Sequence, residues 1–304
     1  MNKKKYLWSI DDFSSEDYLI SSNPEQLGWN LAAATISDIY ACGGIPEYYS
    51  HSVTLDSNWD NKYILKFCTG IKKALQYAGV EFIAGDLSIA KNWKYTGTVI
   101  GKSDEKFVCR KGACPGDKIY ITGKTGSGNL EAILKLNQNN TYLKEFFASH
   151  KFKLPIRKKE SGLIKKYASS CIDTSDGLIN ALNTISMLNK TGFLINNPEL
   201  IKESGLISKI MHLPEELLLA GECGEYELLF TVNPKKAHDF LTEAKNNRLK
   251  FYCLGQMLSS FKSKILMKGK IQIDISDFNF RARDFINPET YIESMCNFFK
   301  GKPY

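Results

Sequence analysis

Four aspartate-bearing stretches have the residue types for metal and phosphate chemistry: Ser9-Ile10-Asp11-Asp12, Ser37-Asp38, Gly85-Asp86 and Asp173-Thr174-Ser175-Asp176-Gly177. Asp38 is the odd one, because it sits between Ile36 and Ile39 in an otherwise apolar stretch. A carboxylate buried there is costly unless a cation or hydrogen-bond donors meet it. Asp86 and Asp173 each follow an apolar run, and carboxylates at strand ends commonly line sites. If these aspartates converge they repel one another. Mg²⁺ relieves that repulsion, taking oxygen ligands together with substrate phosphates. The competing reading is that each aspartate merely caps or turns the chain, and Asp176 is well placed to cap a helix.

Other chemistries find less support. "IYITGKTGSGNLEAIL" (119–134) looks like a phosphate loop, but a Walker A motif needs a glycine where Lys118 stands, and Gly116 comes two residues too early. We therefore expect a strand-to-helix turn that uses glycines for backbone freedom. Ser127 is positioned to cap a helix beginning near Asn129, and such an end can still meet an anion. His51, His150, His212 and His238 are dispersed, with no H-E-x-x-H pair, which argues against zinc hydrolysis. Ser175 is outside any G-x-S-x-G motif, and nothing supports a glycosidase carboxylate pair.

The eight cysteines form no C-x-x-C pair, and most lie in apolar runs, so buried free thiols and a reducing cytoplasm are expected. The net charge of +7 is spread over short basic runs such as Lys3-Lys4-Lys5 and Arg157-Lys158-Lys159. It suits anionic small substrates, and a nucleic-acid stripe is not indicated. No apolar run reaches membrane-spanning length.

The elements that must position these residues are legible in outline. Asn23-Pro24-Glu25-Gln26 starts a helix that runs to Gly43-Gly44. "YYSHSVTL" (48–55) alternates like a strand, a helix covers about 60–78, and "VEFIAGD" (80–86) reads as a buried strand running into a turn. "YTGTVIG" (95–101) and "KFVCR" (106–110) are further strands. "KGACPGD" (111–117) is a turn-rich joint, which places a domain boundary between 112 and 113. Beyond it we expect a helix near 158–168, a short strand and turn at Asp173 with a helix from about Asp176, and the strand "EYELLFTV" (225–232). A helix from Pro234 to about Asn247, the run "FYCLGQML" and a hairpin around Gly269 complete the chain. Both halves mix strands and helices, which argues α/β or α+β layers.

In this order, "LGWNLAAATISDIYACGGIP", "FIAGD", "CRKGACPGDKIYITGKTG", "CIDTSDGLI" and "GEYELLF" resemble thiamine-monophosphate kinase, of the aminoimidazole ribonucleotide synthetase-like superfamily. The resemblance runs from about Ser9 to the C-terminus. It implies a PurM-like two-domain fold, α/β plus α+β: an ATP/Mg domain over 1–112 whose strands build a β-barrel across a homodimer, and a C-terminal α+β domain over 113–304. It also implies Mg²⁺-assisted transfer of the ATP γ-phosphoryl to thiamine monophosphate, giving thiamine diphosphate and ADP. Asp11, Asp38, Asp86, Asp173 and Asp176 match metal-binding aspartates, and Gly85, Arg110 and Ser175 match ATP-contacting positions. Asp176 and Arg110 thereby become the catalytic candidates.

Three departures accompany the match. The family's G-I-G-D-D-A segment, expected ahead of the Asp11 region, is not found from Met1 onward, so weaker ATP binding is expected. Its histidine-phenylalanine pair near the substrate falls at Asp17-Tyr18. Its G-G-E-D-Y-E-L motif is changed to Glu222-Cys223-Gly224-Glu225-Tyr226-Glu227-Leu228. Asp17, Glu225 and Phe285 are therefore the acceptor-side candidates, with relaxed acceptor choice expected. The alternatives are a superfamily member acting with ATP on another small substrate and a non-catalytic nucleotide-binding relative.

Overall fold

The computed structural model describes residues 5–17, 23–104, 106–137, 139–143, 145, 152–196 and 198–301. Tyr18 and His150 lie outside them. The chain divides into two compact units, residues 1–107 with 131–165, and residues 108–130 with 166–304.

The first unit is a four-stranded sheet backed by two helices. Its strands β1 (Lys5–Ser14), β2 (Ile45–Asp56), β3 (Glu81–Ala90) and β4 (Lys94–Ser103) lie in the order β1-β4-β2-β3. The β2–β3 pair is parallel and the other pairs antiparallel. Helix α1 (Pro24–Ala41) starts as its sequence requires: the Asn23 side chain accepts from the Gln26 amide and Pro24 occupies the first turn. It is buried along nearly all its length because the sheet covers one side and α2 (Asn61–Ala78) the other. The two helices approach closely where glycines remove side chains. A Cβ on Gly28 would strike the Phe67 carbonyl, and one on Gly70 the Glu25 carbonyl. Helix α2 is capped by Asp60 and stops at Gly79, which takes the left-handed conformation at φ 76°.

Residues 131–165 belong to this first unit. The reason is polar as well as apolar. Trp29 Nε1 donates to the Leu154 carbonyl at 2.9 Å, and Asn30 Nδ2 donates to the Phe152 carbonyl at 2.8 Å. Ser161 Oγ donates to the Tyr40 carbonyl at 2.7 Å. Hydrogen bonds over such sequence separations leave no local signal.

The second unit is built on a seven-stranded sheet. Its strands are β5 (Lys118–Ile121), β6 (Ala168–Asp173), β7 (Gly192–Ile195), β8 (Leu228–Val232), β9 (Tyr252–Leu258), β10 (Lys264–Lys268) and β11 (Ile271–Asp274), in the order β11-β10-β7-β9-β5-β8-β6. Ile119, Ile121, Leu229 and Phe193 enter one core with α5 (Leu178–Asn189) and α9 (Pro288–Lys300). Tyr120 and Phe230 point the other way, against Phe240 of α8 (Pro234–Asn246). Further helices among the described residues of the chain are α3 (Ser127–Leu136), α4 (Lys158–Tyr167), α6 (Lys202–Ile210) and the single turn α7 (Leu217–Ala220).

Several expectations are corrected. Of the run 80–86 only Val80 is buried, and no turn ends it: β3, at one edge of the sheet, continues to Ala90 and is exposed along its length. No strand forms over 106–110, although the Cys171 amide donates to the Cys109 carbonyl at 3.0 Å. The strand expected over 225–232 begins only at Leu228. Of the cysteines, only Cys171 and Cys296 are buried, since apolar neighbours in sequence do not decide which face a residue occupies. No helix among the described residues is long and apolar enough to cross a membrane.

Candidate active site

In the first unit, strand alternation puts Ser9 and Asp11 on the face of β1 that packs against α1. Asp38 reaches that face from α1, and Ser9 Oγ donates to its Oδ2 at 2.7 Å. Asp11 is pushed up from its ordinary 3.8 to about 6, first by burial and then by the neighbouring Asp38 charge. Ser9 has no role of its own in the sequence motif, although its place two residues before Asp11 in a strand puts both on one face.

Asp86 does not join them. The pairing register runs Asp11–Gly97–His51–Gly85 across the sheet, and the next row runs Asp12–Thr96–Ser52–Asp86. Adjacent rows face opposite ways, and the Thr96 hydroxyl donates to Asp12 Oδ1 at 2.6 Å, so Asp86 shares the face away from α1. Gly85, by contrast, lies beside His51, whose ring packs on Phe82 and Tyr95. Burial lowers the His51 pKa. Asp17 serves a turn, where its Oδ2 accepts from the Ser14 amide at 2.6 Å and its backbone carbonyl accepts from Lys135 Nζ.

In the second unit, β6 ends at Asp173, which is buried, and Ser175 Oγ donates to its Oδ1 at 3.1 Å. Asp176 is exposed and does not cap α5; the capping position is Gly177, with no side-chain bond. The Asp176 carbonyl instead accepts from Asn180 Nδ2 at 3.1 Å. Arg110 is exposed on the segment before β5, with its carbonyl bound by Asn189 Nδ2 at 3.0 Å.

The glycine turn of 122–128 joins β5 to α3, as expected once a Walker A loop is excluded. Its amides do meet an acidic group, and that group is internal. Glu225 Oε1 accepts from Gly126 N at 2.6 Å and from Gly128 N at 3.4 Å, and the residue is 3% exposed. Glu225, the expected acceptor-side acid, is thus bonded within its own unit. Burial raises it from 4.5 to about 8, against the two amides, which pull the other way. Phe285 is also engaged within its own unit, with its ring against Phe280 and Tyr291 beside the core.

The loop 221–227 bearing Glu225 also holds the Asp173–Asp176 turn. Gly224 N donates to the Ser175 carbonyl at 3.1 Å, and a Cβ there would run into the Thr174 carbonyl. Thr174 N donates to the Glu227 carbonyl at 2.8 Å, and Glu227 N donates to Thr174 Oγ1 at 3.1 Å.

Among the described residues, no group of three or more His, Cys, Asp or Glu side chains is arranged to hold a metal ion. Asp11 and Asp38 nevertheless suit Mg²⁺, which is commonly held by one or two carboxylates with phosphate oxygens and water completing the shell. Their mutual repulsion, visible in the raised Asp11, is the imbalance such a cation would remove.

Residues 1–103 match the family model described as AIR synthase related protein, N-terminal domain. The chain is 30% identical over 256 residues to the thiamine-monophosphate kinase of Bacillus subtilis, covering 81% of this chain and 78% of that one. It is 30% identical over 209 residues to that of Archaeoglobus fulgidus, covering 68% and 67%. A solved structure described as "AaThiL complexed with AMPPCP and TMP" superposes with a TM-score of 0.71 at 25% identity, covering 86% of this chain and 84% of that one. The hydrogenase maturation protein HypE of E. coli shares the fold, with a TM-score of 0.73 at 14% identity over 89% and 85% of the two chains.

Proposed function

Because the chain belongs to the thiamine-monophosphate kinase family, we propose that it transfers the γ-phosphoryl group of ATP to thiamine monophosphate. A terminal phosphate oxygen of the acceptor forms the new P–O bond, the bond between the γ-phosphorus and the β–γ bridging oxygen breaks, and ADP leaves with thiamine diphosphate as the other product. The observation that carries this reading is the Asp11–Asp38 pair, two carboxylates held on one face with Ser9 donating to the second.

Phosphoryl transfer asks the protein chiefly to position groups and neutralise charge. Mg²⁺ supplies the neutralisation when bound. Asp11 and Asp38 are the residues that would hold it in the first unit, and Asp173 and Asp176 those in the second. Ser9 fixes the Asp38 carboxylate, and Ser175 does the same for Asp173. Gly85, Arg110 and Ser175 are assigned to the nucleotide and Asp86 to a second metal contact, on the family match of their motifs. Asp17 and Phe285 are kept on the acceptor side, and the ATP/Mg domain is assigned to 1–112 with its partner domain over 113–304.

A homodimer completes this reading. Tyr6, Trp8 and Ile10 alternate on the exposed face of β1, with Trp8 74% exposed, and among the described residues one edge of β3 has no strand partner. Pairing of two such sheets would close the barrel expected of the superfamily. The deciding experiment is a phosphoryl-transfer assay with ATP, Mg²⁺ and thiamine monophosphate, read by product mass. Formation of thiamine diphosphate is expected, and ATP binding without any product would replace the kinase reading with that of a nucleotide-binding relative.

A further inference from the structure

The contact that the functional reading leaves unused is an ion pair at the start of the loop 221–227. Glu222 Oε1 accepts from Arg281 Nη1 at 2.9 Å, and Glu222 Oε2 accepts from the Ala282 amide at 2.6 Å. Both side chains are mostly shielded from solvent, so the pair is screened less than a surface bridge. One carboxylate thus ties the segment before α9 to the loop through both of its oxygens.

The rest of that loop has no slack. Asn129 brackets it, with Nδ2 donating to the Gly221 carbonyl at 3.1 Å and Oδ1 accepting from the Cys223 amide at 3.1 Å. Glu225 is anchored on the glycine turn, and Gly224 and Glu227 are bonded to the Asp173–Asp176 turn. Displacing Glu222 therefore shifts the backbone two residues from Gly224, whose amide holds Ser175. A closely packed loop transmits such a shift and does not absorb it.

We propose that Arg281 and Glu222 form a latch through which the segment before α9 positions the Asp173–Asp176 turn for phosphate and metal binding. Arg281 is a positioning residue, acting through Glu222 and Gly224 on Ser175 and Asp173. The catalytic consequence rests on the kinase reading, whereas the mechanical one does not.

The test is Arg281→Ala, with Arg281→Lys as the variant that keeps the charge. Amide hydrogen exchange is followed at Thr174, Gly177 and Gly224, and at β7 and β9 as internal references. Exchange at the three amides is expected to quicken roughly tenfold in Arg281→Ala with β7 and β9 unchanged, and Arg281→Lys is expected to restore most of the protection. A non-hydrolysable ATP analogue with Mg²⁺ is expected to bind several-fold more weakly to Arg281→Ala. Unchanged exchange at these amides overturns the latch, and so does acceleration by the same factor in β7 and β9, since that is general destabilisation. If the wild-type protein makes no thiamine diphosphate, the kinase reading fails while the exchange result still decides the latch.

Discussion

The carboxylate of Glu225 occupies the amides of Gly126 and Gly128, at 2.6 and 3.4 Å, in the turn that looks in sequence like a phosphate loop. An acidic side chain almost a hundred residues away has taken the place of the anion. Its second oxygen, Oε2, is buried without a hydrogen-bond partner.

That arrangement makes stability depend on pH. The folded pKa of Glu225 is raised from 4.5 to about 8, so its contribution to stability is full below 4.5 and is lost as pH rises through about 8. Between those limits this group alone lowers stability by up to about 1.4 kcal/mol per pH unit. Glu225→Gln keeps an oxygen for the two amides and carries no charge. Urea unfolding is expected to show a flatter pH dependence for Glu225→Gln across this interval. Glu225→Ala, which strands both amides, is expected to be less stable by about 2 kcal/mol even at acid pH.

Asp11 and Asp38 set function against stability. Removing one charge with Asp11→Asn relieves the burial cost, and with it the repulsion from Asp38, that together raise Asp11 to about 6. The metal-free variant is expected to gain roughly 1 kcal/mol near neutral pH. Calorimetry is expected to show loss of the Mg²⁺-dependent part of ATP binding in the same variant. Equal ATP binding by wild type with and without Mg²⁺ would remove the metal role from this pair.

The α1–α2 crossing tolerates no side chain at Gly70, where a Cβ would meet the backbone of Glu25 and Trp29. Gly70→Ala forces the helices apart. A cost of about 3 kcal/mol is expected, read as a lower unfolding midpoint, despite the better helix propensity of alanine.

The exposed face of β1 tests assembly. Trp8→Asp puts a charge where Tyr6, Trp8 and Ile10 present an apolar strip. Light scattering is expected to move from twice the chain mass toward the 34.3 kDa monomer. A wild-type protein already at monomer mass at micromolar concentration would sink the dimer.

Local chemistry along the chain determined much of the first unit and one turn of the second. Asn23, Pro24 and Gln26 specify where α1 begins, Asp60 and Gly79 bound α2, and the miscounted glycines exclude a Walker A loop. Asp38 stands out because an apolar helix makes a carboxylate conspicuous. These signals are legible because capping, backbone freedom and desolvation act within a few residues of chain.

Tertiary structure decided what depends on partners far away in sequence. A one-residue difference in position puts Asp86 on the opposite face from Asp11, and only the pairing of β1, β4, β2 and β3 shows it. The exposure of β3 is likewise invisible in its apolar run, since what covers a strand's faces is set by the elements packed on them. Glu225 reads as an acceptor-side acid in the motif, yet the amides that bury it come from the 122–128 turn. The Glu222–Arg281 pair spans 59 residues. No periodicity announces such contacts, because each is made by the folding together of segments whose local preferences are independent of one another.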